Sequence, residues 1–84
     1  MKKYTVEEIS NWIVRKLSVK LNLPTSAIRL DKDILDYGLD SMEALGMVGE
    51  IEALIGVEIP ATSVWDYPTI SQLAQFIHDE APVI

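Results

Sequence analysis

Gly38-Leu39-Asp40-Ser41-Met42, running on into Glu43-Ala44-Leu45-Gly46-Met47-Val48-Gly49-Glu50-Ile51-Glu52-Ala53-Leu54-Ile55, is the stretch on which the fold turns. It predicts a tight loop end followed by one long helix. Gly38 has no Cβ and accepts the backbone conformations such a loop end needs. Asp40 is a strong helix-capping residue, and Glu43 stands three positions later, the spacing of a capping box. Gly56 offers the left-handed stop of a Schellman-type cap, with Val57 as its apolar follower. The predicted helix is therefore Ser41 to Ile55. At about 100° per residue, Ala44, Met47, Val48, Ile51, Leu54 and Ile55 point to the core. Met42, Glu43, Gly46, Gly49, Glu50 and Ala53 point away from it. Two glycines inside a helix cost about 1 kcal/mol each relative to alanine. A purely structural face rarely carries two. Ser41 falls in the first turn, where unpaired N–H groups and the positive helix end suit an anionic group. Taken alone, Asp40-Ser41 reads more plainly as an ordinary helix start.

Upstream, Thr5-Val6-Glu7-Glu8 is a capping box. Val6, Ile9, Ile13, Lys16, Leu17 and Leu21 follow at helical spacing with Trp12 on the flank, so a first helix is predicted from Val6 to Leu21. Asn22 suits the left-handed terminal position, and Pro24 forbids continuation. Residues 22–39 then form a long loop with a short turn after Ser26. Ala27, Ile28, Leu30, Ile34, Leu35 and Leu39 recur through it and predict that it is pinned to the core. Asp31, Asp33 and Asp36 look like part of a calcium loop. However, the turn glycine and the terminal bidentate glutamate are missing, so a solvated acidic loop is the better reading.

Downstream, Val57-Glu58-Ile59-Pro60 reads as a short extended link. Residues 61–66 are long enough for one or two helical turns anchored by Val64 and Trp65, and Pro68 ends them. Thr69 and Gln72 make another capping box ahead of a last helix whose stripe is Ile70, Leu73, Ala74, Phe76 and Ile77. His78 belongs to the end of that helix, and residues 81–84 to a frayed tail. The expected fold is all-α: a small bundle of three principal helices plus a short third one, with a long loop between the first and second. Residues 1–84 make a single domain with its core at about 5–80. Met1, the short tail and the lack of linker-like ends favour a free-standing protein.

Composition narrows the function classes. The chain has no Cys and one His, so it offers no thiol nucleophile, no disulfide and no His or Cys metal cluster. No base–nucleophile constellation stands out, and no catalytic or metal-binding residue is assigned. No apolar run reaches membrane-spanning length, and the acidic Glu7 and Glu8 interrupt any signal-like start. A cytoplasmic monomer that does not act on membranes is expected. The net charge of −6 is unevenly spread. Residues 1–29 carry six basic groups against two acids, whereas residues 30–84 carry eleven acids against Lys32 alone. So acidic a second half argues against nucleic acid and favours partners with basic surfaces.

Gly38-Leu39-Asp40-Ser41 with its apolar helix resembles the modification site of the acyl carrier protein family. Gly56-Val57-Glu58-Ile59-Pro60-Ala61-Thr62, Trp65-Asp66-Tyr67-Pro68-Thr69-Ile70 and Leu73-Ala74 are similar to the second half of polyketide-synthase carrier domains. The resemblance implies that Ser41 receives a 4′-phosphopantetheine arm from coenzyme A through a phosphopantetheinyl transferase. It implies that Asp40 and Met42 frame the arm, and that acyl groups ride on it as thioesters between acyl-activating enzymes, ketosynthases, acyltransferases or other enzymes of polyketide or hybrid polyketide/nonribosomal peptide biosynthesis. Glu43, Gly46, Gly49, Glu50 and Ala53 become the partner-docking face. Two positions depart from the family pattern. Met42 replaces the usual leucine, and Gly46 stands where carriers often have glutamate, which weakens a docking surface based on acid alone. Met42, Gly46, Gly49 and Ala53 instead make a smooth stripe beside Ser41. A peptidyl carrier, or an unmodified helical interaction module, are the alternative readings.

Overall fold

The Thr5 side chain accepts the Glu8 N–H at 3.0 Å, and Glu8 Oε1 accepts the Thr5 N–H at 3.0 Å. This reciprocal cap satisfies two of the donors that a helix start leaves open, and it begins α1 (Val6–Leu21) at the predicted residue. Asn22 ends α1 with φ 55°. The Leu23 N–H reaches the Ser18 carbonyl and the Asn22 N–H the Val19 carbonyl, the paired bonds of a Schellman motif. The computed structural model describes residues 4–56, 58–60 and 62–80. Within them follow α2 (Ser41–Ile55), α3 (Ser63–Asp66) and α4 (Ile70–Glu80), with 3-10 turns at Thr25–Ala27 and Ile34–Tyr37. The small bundle of three principal helices and one short one is as expected, and α2 keeps its predicted bounds.

The core draws on every helix. Ile9, Ile13 and Leu17 of α1 meet Ala44, Met47, Val48 and Ile51 of α2, Val64 of α3, and Leu73, Ala74 and Ile77 of α4. Burying an aliphatic side chain of this size contributes about 1.5–3 kcal/mol. Trp12 packs at the core margin, as its flanking position predicts. Leu54 departs from expectation and is 37% exposed. It lies at the edge of the apolar arc, one turn beyond Glu50, where periodicity gives direction without saying how far the neighbouring helix reaches.

The long loop is pinned by backbone as well as by side chains. The Ile34 N–H donates to the Pro68 carbonyl at 2.7 Å, and the Ser71 N–H to the Leu30 carbonyl at 3.0 Å. Asp33 and Thr69 form an isolated antiparallel bridge. Ile28, Ile34 and Leu39 are buried as expected. Ala27 and Leu30 are exposed, contrary to expectation. Leu30 anchors through its carbonyl, which leaves its side chain outside. The acids of the loop also have structural work. Asp33 caps the second 3-10 turn by accepting the Leu35 N–H at 2.8 Å. Asp31 takes two hydrogen bonds from Arg29, which hold its carboxyl below the usual range, although the pair is open to water. Among the described residues no group of acids or histidines is arranged to hold a metal ion.

After α2, Gly56 turns left-handed with φ 70°, and its N–H donates to the Glu52 carbonyl at 2.8 Å. This is the simpler αL cap. The Schellman partner expected at Val57 lies outside the described residues, as do Ala61 and the tail 81–84. α3 is a single turn. Ser63 and Val64 take its inward positions, so Trp65 is left 43% exposed rather than anchoring the core. Thr69 and Gln72 form the expected capping box of α4. Phe76 is only partly buried and stacks on Tyr67 with centroids 4.4 Å apart. His78 Nδ1 donates to the Tyr4 carbonyl at 2.8 Å, which ties the end of α4 to the start of α1.

Candidate functional site

The site is built from the chain entering α2. Gly38 sits at φ 89°, and its N–H donates to the Leu35 carbonyl at 3.2 Å. An L-residue is strained at that φ, so this is where glycine is needed. Leu39 is 7% exposed and fastens the turn to the core. Asp40 follows in extended conformation and caps α2, its Oδ1 accepting the Glu43 N–H at 2.8 Å. The Asp40 carbonyl accepts the Ala44 N–H at 3.1 Å, the first helical bond. Only half of the expected capping box forms, because the Glu43 side chain makes no return bond to the Asp40 N–H.

Ser41 is the first residue of α2 and is exposed. Helix geometry gives the first N–H groups no acceptor within the helix. Asp40 satisfies that of Glu43, and those of Ser41 and Met42 stay available beside the Ser41 hydroxyl. The site therefore combines an open hydroxyl, outward amide donors and the positive end of a 15-residue helix. Met42 is 82% exposed next to it. Leu45, four residues after Ser41 and so its neighbour on the helix surface, is 40% exposed. Leu45 was not among the expected site residues, although the periodicity that turns Ala44 and Val48 inward turns it away from the core.

The other docking residues divide. Glu43, Gly46, Gly49 and Ala53 are exposed as expected. A Cβ built on Gly46 or Gly49 would meet nothing within 4 Å, so neither glycine answers to a packing need. At the far end of the stripe, Gly49, Glu52, Ala53, Gly56 and Glu58 line a shallow open depression. Glu50 points outward as expected, its side chain 41% exposed, but it is tied to α1. Its carboxylate lies at the seam with α1, with Lys16 Nζ 3.1 Å from Oε2 and Lys20 Nζ 4.0 Å from Oε1. Lys16 and Lys20 are one helical turn apart and close on it together. The Lys16 contact is an ion pair without hydrogen-bond alignment. Lys16 also lies over the Trp12 ring, 5.6 Å from its centroid. A helical wheel of α2 alone cannot show that α1 brings cations to this position.

Comparison with known proteins agrees with this geometry. The phosphopantetheine attachment site family model matches residues 11–77. The acyl carrier protein TtuC of Teredinibacter turnerae is 32% identical over 73 residues, 87% of this chain and 84% of that protein. The polyketide synthase PksR of Bacillus subtilis is 31% identical over 72 residues, 86% of this chain, and the chain spans only 3% of that protein's length. The crystal structure of a free-standing peptidyl carrier protein from Acinetobacter baumannii superposes with a TM-score of 0.84 at 32% identity, covering 92% of this chain and 96% of that one. With a capped helix behind an exposed serine, and a family match that spans both the loop and the helices, the chain belongs to the phosphopantetheine attachment site family of carrier proteins.

Proposed function

We propose that Ser41 is the residue that carries the 4′-phosphopantetheine arm, and that the domain delivers acyl groups in polyketide-type assembly without catalysing a step itself. The observation that carries this reading is the exposed Ser41 at the Asp40-capped start of α2. That position fits a phosphodiester. The hydroxyl is accessible, and the outward N–H groups of Ser41 and Met42 face the charge that attachment would bring. Loading forms a bond from Ser41 Oγ to the phosphorus of coenzyme A's pyrophosphate and breaks the bond to adenosine 3′,5′-bisphosphate, which leaves. The hydroxyl proton passes to a base of the transferase. When bound, the arm supplies the thiol that this chain lacks.

The residues around Ser41 present the arm rather than react with it. Asp40 fixes the helix start, and Met42 and Leu45 offer apolar contact beside it. Acyl cargo is favoured over aminoacyl cargo by Leu39-Asp40 and by the polyketide-synthase and acyl carrier relatives. Residues 1–84 act as one cytoplasmic carrier domain serving a phosphopantetheinyl transferase and acyl-handling enzymes. Among the described residues no helix is long and apolar enough to cross a membrane. The test is intact mass after incubation with coenzyme A and a broad-specificity transferase, followed by peptide mapping. One arm on the Ser41 peptide is expected. No mass increase, or an arm on another peptide, sinks the reading.

The open stripe Met42, Gly46, Gly49 and Ala53, together with Glu43, is proposed as the face that partners approach, by shape as much as by charge. Because added methyl groups at 46 and 49 meet open space, Gly46→Ala with Gly49→Ala should stabilise the fold by about 1 kcal/mol per site. Acyl transfer to a cognate enzyme should slow at the same time. A more stable variant that transfers at the wild-type rate removes the stripe from the docking face.

A further inference from the structure

One side chain closes the long loop on itself. Tyr37, the last residue of the second 3-10 turn, packs partly buried against the core. Its hydroxyl accepts the Arg29 N–H at 2.7 Å and donates to the Arg29 carbonyl at 3.5 Å. Its ring lies beneath the Lys32 ammonium, 4.4 Å from the centroid. Arg29 is steadied in turn by its two hydrogen bonds to Asp31 at 3.1 and 3.2 Å. Contacts from two points of the loop thus converge on the residue immediately before Gly38. Only Gly38, Leu39 and Asp40 separate this clasp from Ser41.

We infer that Tyr37 is a positioning residue for the loading of Ser41: its hydroxyl fixes the path by which the chain enters α2, so that the transferase meets a serine already presented. This rests on the reading of Ser41 as the attachment residue. Gly38 turns more freely than any other residue type. The direction in which it delivers Leu39-Asp40-Ser41 is therefore set by what holds its two sides. Leu39 holds one side by burial, and Tyr37 holds the other through Arg29. A substrate segment that is ordered beforehand is bound more tightly, because the partner does not have to order it and the competent fraction is higher.

The fold does not depend on the hydroxyl. Ile34 stays bonded to Pro68, and Ser71 to Leu30, without it. Arg29 is exposed, so water takes over its freed N–H. Tyr37→Phe keeps the ring for the core and for Lys32 and removes only the clasp. The experiment compares the loading kinetics of wild type, Tyr37→Phe and Ile77→Val, the last being a core substitution in α4, six residues beyond the loop's anchor at Ser71, that lowers Tm. For Tyr37→Phe, kcat/KM towards the transferase at saturating coenzyme A should fall roughly three- to tenfold, the range of one hydrogen bond, mainly through KM. Hydrogen exchange should quicken at the Gly38 and Glu43 amides, whose bonds to the Leu35 carbonyl and Asp40 Oδ1 flank the serine, and stay unchanged in α1 and α4. Ile77→Val should load at the wild-type rate. Wild-type kinetics in Tyr37→Phe, or an equal slowing in Ile77→Val, overturns the inference and leaves the Ser41 reading intact. A wild-type chain that takes no arm overturns both.

Discussion

Ser41→Ala takes up no arm: after incubation with coenzyme A and transferase its mass stays that of the unmodified chain, while wild type is converted. The chain has a built-in comparison. Ser71 is also exposed and also lies in the first turn of a long capped helix. Its N–H, however, is donated to Leu30, whereas the N–H of Ser41 stays open. Ser71→Ala should therefore load as wild type does. Ser10 and Ser63 are buried and out of contention. Stability should not confuse the result, because alanine is the better helix former by about 0.5 kcal/mol and Ser41 packs against nothing it would miss. Circular dichroism with a thermal scan confirms that the fold is intact. An arm found on Ser41→Ala would remove Ser41 from the proposed role.

The second large effect concerns the loop rather than a helix. Ile34 is fully buried, although it sits in a 3-10 turn between α1 and α2. Ile34→Ala removes that side chain and leaves a cavity in the core cluster that the loop shares with the helices, at a cost of roughly 2–5 kcal/mol. Small domains of this length have little more than that to lose. Urea denaturation should show the midpoint collapse, with part of the population unfolded before any denaturant is added. A loss below about 1 kcal/mol would mean that the loop is laid over the core and not built into it.

The helices were legible because each announces its own ends. Thr5 with Glu8, Asn22 before Pro24, Asp40, Gly56, and Thr69 with Gln72 are local signals, and the structure uses all of them. Ser41 was legible for the same reason, being one residue past a cap. The misreadings share a different origin. Leu54, Trp65 and Leu30 are apolar residues at plausible positions whose burial depends on what another element covers. The pairing of Glu50 was not legible because the wheel of α2 contains no Lys16 or Lys20. Tyr37 was missed because its partner lies eight residues away across a loop, where no periodicity operates.

The loop's attachment to Pro68 and Ser71 also sets an order of events during synthesis. Chains emerge from the ribosome N-terminus first. Gly38-Leu39-Asp40-Ser41 is made early, but the carbonyl and N–H that hold the loop in place belong to residues 68 and 71. Contacts so distant in sequence form late. A nascent chain that had not yet reached Pro68 would expose its serine on an unfastened segment. The serine is thus set in its final surroundings only once α4 has begun to form, so the geometry around it reports on the far end of the fold.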